Sequence, residues 1–365
     1  MLVAVYSPYL SAQVIGGGEK HILEFARVVA LKHTVHIALS KNPTEPFTHQ
    51  IKRLSDALHS FLGWSTDMFT FVETPLGTSA GAIEKLLWTQ RYDYLYSVTD
   101  GSLHFSLAKK NNLHIQIPFT NSHSSVIDRL KLLNWTVKNT NSEFTKNIVE
   151  KSWQTKIPFV HHPLVQLAEF APSTKKSNVI LSVGRFFTHL HSKRQDILIE
   201  AFKKLVLTYP KTFSSWKLVL VGPNDDEQFV RSLQKQARGL AVEFFHNIER
   251  KTLVKLYNSS RLYWHASGYQ RDPISSPEAV EHFGISIVEA MASGAVPIVV
   301  GSGGPAEILS GDLRVLQWQS IDECVAITSS LIHESQDETK LRTACIHRAK
   351  DFSEKVFESK VWQMI

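Results

Sequence analysis

The chain of 365 residues contains two cysteines, Cys324 and Cys345, so a disulfide framework is excluded and two reduced, buried thiols are expected. No Cys/His grouping has zinc spacing, and no bound metal is expected. The short pairs His161-His162 and His189-x-His191 read as polar residues on surface loops. No basic N-terminal region precedes a long apolar core, so the opening Met-Leu-Val-Ala-Val-Tyr reads as a β-strand rather than a signal peptide. The most apolar later stretch, 285–301, is interrupted by Glu289 and small residues and is too short to span a bilayer. These absences give a cytoplasmic expectation. Charge of one sign is scarce as well. A net +6 suits an anionic ligand or a loose contact with an acidic membrane from the cytoplasmic side, and is too small to argue for nucleic acid. No low-complexity tract or solenoid repeat is present.

What is present is alternation. Strand-like runs at 2–6, 34–39, 69–73, 94–98, 114–118 and 135–138 are separated by helical patterns such as 19–31, 80–90 and 144–153. A polar, Pro-containing stretch around Pro163, Pro172, Ser173, Thr174, Lys175 and Lys176 reads as a linker, placed at 166–178. Alternation then restarts. Strands are expected at 179–183, 216–221, 242–246, 261–265, 296–300 and 314–317, with helices at 194–207, 226–237, 251–259, 285–293 and 321–334. Residues 351–365 read as a closing helix with Phe352, Val356, Phe357 and Val361 on one face. This order implies two parallel-sheet α/β domains, 1–165 and 179–350. Ligands then belong beyond the carboxyl ends of strands.

Four motifs stand there. Gly16-Gly17-Gly18-Glu19 precedes the first helix, where glycine permits close approach and the helix start favours an anion; a ligand-free loop fits equally. The spacing is not that of a dinucleotide fingerprint. Gly184-Arg185 ends the first strand of the second domain, and Lys193 follows before the next helix; the pair suits phosphate, although a solvated surface loop has the same composition. Glu281 and Glu289 flank a helix expected to start near Gly284 or Ile285. Carboxylates on either side of an anion-binding helix start would suit a nucleotide sugar, with hydroxyls at both ends and a diphosphate between. Gly301-Ser302-Gly303-Gly304-Pro305 is a second glycine-rich loop beside it.

In this order the motifs resemble family 4 of the retaining glycosyltransferases, which have the two-domain GT-B fold. Carrying the resemblance are the Gly-Gly-Gly-Glu loop, Val183-Gly184-Arg185 with Lys193, the strand and turn ending at Gly222-Pro223, Glu281-x7-Glu289 with Phe283-Gly284-Ile285, and Gly303-Gly304-Pro305-Ala306-Glu307. It implies two Rossmann-like domains facing a central cleft and a UDP- or GDP-sugar as donor. It implies that Arg185 and Lys193 hold the diphosphate, that Glu281 contacts the transferred sugar and Glu289 the ribose, and that Gly184 and the backbone of Phe283, Gly284 and Ile285 face sugar and phosphate. Gly16, Gly17 and Gly18 would close on the diphosphate from the other domain. The closing helix would pack back on the N-terminal domain. Members commonly need no metal and no protein nucleophile.

One departure is His123, a few residues later than the family's acceptor-side histidine. Another is the long segment 266–280 before Glu281, a cover for the sugar pocket or a loop without a role. The acceptor implied is a saccharide or a lipid-linked saccharide. Residues 129–153 mix lysines with Leu130, Leu133, Trp135 and Trp153, which suits either an anionic membrane surface or a core with solvated lysines. An epimerase or hydrolase of the same fold, or a binding protein without turnover, would share most of these features.

Overall fold

The computed structural model describes residues 1–10, 16–172, 175–188 and 192–365, with the side chains of 60–62 and 335 also set aside. The expected positions Ser173, Thr174, His189 and His191 lie outside the described residues. The chain forms two compact units, Met1–Leu164 with Lys355–Ile365, and Val165–Glu354.

Unit 1 holds a seven-stranded sheet of β1 (Leu2–Tyr6), β2 (Thr34–Ser40), β3 (Thr70–Thr74), β4 (Tyr94–Val98), β5 (Lys110–Ile115), β6 (Val137–Thr140) and β7 (Phe159–Val160). Its order is β3-β2-β1-β4-β5-β6-β7, and every pairing is parallel. Alternation along each strand divides the apolar side chains between the sheet's two faces. Val3 and Val5 of β1 pack with the helix Gly17–Ala30 in one core, while Ala4 and Tyr6 join Trp135, Val149 and Trp153 in the other.

Two strands sit away from their expected places. β5 begins at Lys110, four residues before the expected 114, and β6 runs 137–140 instead of 135–138. Asn111 and Asn112 make β5 look like a loop, yet both are buried. Asn112 donates to Tyr94 Oη at 2.7 Å and accepts from Asn139 Nδ2 at 2.6 Å, so a side-chain network replaces apolar packing there. Helices Phe47–Leu62 and Val126–Asn134 add to the expected set.

The segment 129–153 divides. Leu132, Trp135 and Trp153 are core residues, whereas Leu130 and Leu133 are exposed. The helix Glu354–Met364 contributes Phe357, Val361 and Met364 to unit 1. Its expected apolar face is corrected in two places: Val356 is exposed, and Phe352 lies in the core of unit 2.

Unit 2 holds six parallel strands, β8 (Ser177–Val183), β9 (Lys217–Gly222), β10 (Val242–His246), β11 (Ser260–His265), β12 (Val296–Val300) and β13 (Gln317–Trp318). Their order is β10-β9-β8-β11-β12-β13. The 166–178 stretch belongs to this unit, with a 3₁₀ turn at Leu167–Glu169 and β8 starting at Ser177. The expected strand at 314–317 is mostly a 3₁₀ turn, Gly311–Leu316, and only Gln317–Trp318 pairs. Cys324 and Cys345 are free, buried thiols, and burial pushes Cys345 up to about 12.

His161 corrects the surface-loop expectation. It is buried in unit 1 beside His21 and His114, with ring centroids 4.8 Å apart for His21–His161 and His21–His114, and the Phe357 ring lies tilted against it with centroids 4.1 Å apart. Burial holds all three imidazoles below 6.5, His114 at about 4. They are therefore neutral in the folded unit and titrate near 6.5 when it unfolds. Protons bind the unfolded chain more readily, so stability present above pH 6.5 is lost as pH falls towards about 4. The expected slope approaches about 1.4 kcal/mol per pH unit per histidine. Urea midpoints between pH 7.5 and 5 test this. His161→Phe should flatten the dependence, and a flat profile for the parent chain contradicts the assignment.

Candidate functional site

In a doubly wound sheet the strand order reverses at one point, and the crevice lies beyond the carboxyl ends of the two strands that flank it. In unit 2 those strands are β8, ending at Val183, and β11, ending at His265. Gly184, Arg185 and Lys193 follow the first, and His265 terminates the second.

The loop after β8 is tightly bound to its neighbours. The Gly184 amide donates to Val221 O at 2.8 Å, and buried Gln195 donates to Gly184 O and Arg185 O at 3.3 and 3.1 Å. A Cβ on Gly184 would lie 2.4 Å from Lys193 Cγ, so the absent side chain is what admits the lysine stem. Lys193 then reaches Glu281 in a short ion pair, and both side chains are largely buried. His265, itself buried, donates through Nε2–H to the same Glu281 oxygen at 3.1 Å. Burial lowers the His265 value against the opposing pull of Glu281, so the imidazole is neutral near pH 7. Lys193, Glu281 and His265 thus form one cluster from three separate segments.

The helix Ile285–Ser293 starts immediately beyond it. Gly284 stands at φ +115°, a conformation that L side chains rarely adopt, and no side chain caps this helix start. Its orientation is fixed by Tyr263, whose hydroxyl donates to Ser286 Oγ at 2.8 Å. The second glycine-rich loop closes against the same backbone: the Gly304 amide donates to Glu281 O at 2.8 Å. A Cβ on Gly304 would meet the Phe283 backbone at 2.3 Å. The Phe283 ring points into the core against Phe352, leaving its main chain beside that loop.

The other expected residues pair with groups outside the lysine cluster. Arg185 is half exposed, and its Nε donates to Asp225 at 2.7 Å. Glu289 is buried on the helix and accepts from Arg250 at 2.8 Å; the same guanidinium is 2.6 Å from Glu169. Burial alone would lower the Arg250 value, but the two carboxylates more than offset it and the net shift is upward.

In unit 1, Gly16 caps the helix Gly17–Ala30, and Glu19 turns back to accept from the Gly16 amide at 2.9 Å. Gly17 is the first residue of that helix, and a Cβ on Gly18 would lie 2.7 Å from Gln116 Oε1. His123 is buried edge-on to Trp153, with Nε2 3.0 Å from Gly101 O and Nδ1 3.7 Å from Asp128. The segment before Glu281 is anchored by buried Ser267, Tyr269 and Val280, while Ile274 at its tip is exposed. Among the described residues no group of three His, Cys, Asp or Glu side chains could hold a metal ion.

His265 and Arg250 were not singled out from sequence. His265 carried a faint signal as the polar residue that follows Leu262-Tyr263-Trp264 at the carboxyl end of a strand. Arg250 carried none, because an arginine opening an amphipathic helix resembles any surface residue.

A family model described as glycosyl transferases group 1 matches residues 167–352. An α-1,2-mannosyltransferase of Kluyveromyces lactis, named for GDP-Man and Man(3)GlcNAc(2)-PP-Dol, is 25% identical over 179 residues, 46% of this chain and 30% of that protein. The Homo sapiens protein of the same name is 26% identical over 238 residues, 60% of this chain and 46% of its own. The chain thus covers less than half the length of either. Among solved structures, a glycosyltransferase from Rickettsia africae is similar at TM-score 0.70 and 15% identity, covering 100% of this chain and 97% of that one. Anabaena HepE in complex with UDP is similar at TM-score 0.69 and 16% identity, covering 99% and 98%. At that identity the likeness shows the fold, which is GT-B.

Two structural predictions follow from the packing. Arg250→Ala leaves the buried Glu289 carboxylate without its main cation and should cost about 3 kcal/mol in urea unfolding, with Arg250→Lys intermediate. Gly304→Ala should cost about 1–3 kcal/mol through overlap with the Phe283 backbone. An unchanged midpoint in either variant would show that the contact is not formed as described.

Proposed function

The chain belongs to the group 1 glycosyl transferases, and from that premise we propose that it is a retaining hexosyltransferase whose donor is a nucleotide-diphosphate sugar bound at the switch point of unit 2. The observation that carries this reading is the arrangement around Gly284: an uncapped helix start, with Lys193 held by Glu281 on one side and Glu289 one turn inside. Breaking a sugar–phosphate bond leaves an oxocarbenium-like sugar and an anionic leaving group. The largest stabilisation comes from donors already aimed at the developing charge. In this reading the first-turn N–H groups and Lys193 take the diphosphate. Arg185 leaves Asp225 to join them. Glu281, oriented by neutral His265, accepts from a sugar hydroxyl, and Glu289, oriented by Arg250, accepts from the ribose. The acceptor hydroxyl attacks from the leaving-group face and passes its proton to the departing phosphate oxygen as the sugar–phosphate bond breaks, so the anomeric configuration is kept without a protein nucleophile, and the cationic side chains take the role a metal would otherwise have.

The sequence relatives favour a GDP-activated mannose as donor and a saccharide on a lipid diphosphate as acceptor. An isomerase or hydrolase of the same fold would consume the donor without any acceptor. We include in the proposal action at the cytoplasmic face of a membrane. No described helix is long and apolar enough to cross one.

Thermal-shift measurements with GDP, UDP and ADP at equal concentration should give the largest rise with GDP. A panel of donors then identifies the sugar, and product NMR reports the anomeric configuration. Lys193→Ala and Glu289→Ala should each lower kcat/KM by about a hundredfold or more with the far-UV spectrum unchanged. Full turnover in both variants would sink the site assignment, and an inverted product would sink the retaining mechanism.

A further inference from the structure

Arg250 stands between two carboxylates that reach it from distant parts of unit 2. It opens the helix Arg250–Ser259. Glu169 ends the 3₁₀ turn Leu167–Glu169, and Glu289 lies on the helix Ile285–Ser293. The two acids hold the guanidinium differently. Glu169 Oε2 accepts from Nε at 2.9 Å and from Nη2 at 2.6 Å. Glu289 Oε1 meets that same Nη2 at 2.8 Å. Glu289 is the inner member, its side chain 8% exposed against 32% for Glu169.

Glu169 is fixed from its own side. Two residues on, the Ala171 amide donates to Asn258 Oδ1 at 3.1 Å. Lys176 Nζ donates to Asn258 O at 2.8 Å and to Ser293 O at 2.7 Å, which ties the stretch to the carboxyl ends of both helices. Phe170 carries the guanidinium over its ring, 5.5 Å from the centroid, and meets Tyr257 edge-on at 5.8 Å. The Tyr257 phenol, raised by burial first and then by Glu289, is the other polar neighbour of that carboxylate.

A guanidinium left alone beside a carboxylate closes on it with two parallel N–H···O bonds, which occupy both oxygens. Here the edge formed by Nε and Nη2 is already taken by Glu169. Two carboxylates and one guanidinium leave a net single negative charge. Glu289 therefore keeps acceptor capacity for the O–H groups of a diol.

We propose that Glu169 is a positioning residue that holds Arg250 away from a two-pronged grip on Glu289, and so makes the site prefer a ribonucleotide to its 2′-deoxy form. The inference rests on the reading of Glu289 as the acceptor for ribose hydroxyls, and names what keeps it open. Without the Glu169 charge, Arg250 turns its free edge onto Glu289 and occupies both oxygens. The 2′-hydroxyl then has no acceptor, while the helix start at Gly284 and the Lys193–Glu281 pair stay as they are.

Titration calorimetry of the full chain with GDP and 2′-deoxy-GDP, and with UDP and 2′-deoxy-UDP, tests this without acceptor or turnover. The better-bound ribonucleotide should bind about tenfold or more tighter than its deoxy form, as expected for one hydrogen bond to a charged group. In Glu169→Gln, which keeps the side-chain shape, the ratio should fall to about threefold or less, through weaker ribonucleotide binding and with the deoxy Kd little changed. Glu169→Gln combined with Arg250→Lys should bring the ratio back towards the parental one, because an ammonium has no fork to close on two oxygens. A parental ratio retained in Glu169→Gln overturns the proposal, since loss of mere support would weaken both nucleotides alike. So does a double variant whose ratio stays as low as that of the single one. A parent chain that binds the ribo and deoxy forms equally, or binds neither nucleotide, sinks the reading of Glu289 as well; discrimination by the parent that Glu169→Gln leaves intact sinks this inference alone.

Discussion

The site in unit 2 depends on an ion pair that would be unfavourable in isolation. Lys193 and Glu281 are largely withdrawn from water, and such a pair holds only where geometry and further hydrogen bonds offset the desolvation. Here the repayment is specific. Gly184 leaves room for the lysine stem, Gln195 fixes the loop from beneath, and neutral His265 satisfies the same Glu281 oxygen. The pair ties the loop after β8 to the segment that introduces the helix Ile285–Ser293. Without that tie, the cation and the helix start would have no fixed relation to one another.

A second constraint is steric. Glycines at 184, 222, 303 and 304 stand where a Cβ would fall within 2.5 Å of a neighbouring atom. At 222, 303 and 304 backbone therefore packs directly on backbone, while at 184 the space is taken by the Lys193 stem, and loops packed this closely keep their N–H groups in fixed directions. Such preorganisation is what a charge-stabilising site needs, since reorienting dipoles during reaction would consume the stabilisation they supply. Arg185 differs, being half exposed and engaged by Asp225.

Much of this was legible in the sequence because it is periodic or local. The mostly apolar runs of β4 and β12 place those strands where expected, β10 falls at its expected 242–246, and Gly284 marks the helix start through its backbone requirement. The failures have physical causes. β5 hides because Asn111 and Asn112 are buried in a polar network. His161 was read as a surface residue because a histidine pair next to proline resembles a loop, whereas the ring is packed against Phe357. His265 and Arg250 were missed because their importance lies in partners 16 and 39 residues away, Glu281 and Glu289, and no short window contains both members. Phe352 and Phe357 share a helical pattern, but the pattern does not reveal that the unit boundary falls between them.

That boundary bears on how the molecule is made. The strands of unit 1 and its first helices are synthesised early, yet one wall of its core is closed by Phe357, Val361 and Met364, which leave the ribosome only after all of unit 2. Unit 2 is continuous and can complete its core as it emerges. The later-made half is thus able to mature first, while the earlier half waits with the apolar surface around Ile22 and Phe25 uncovered. A nascent chain of this design needs shielding over unit 1 for longer than over unit 2.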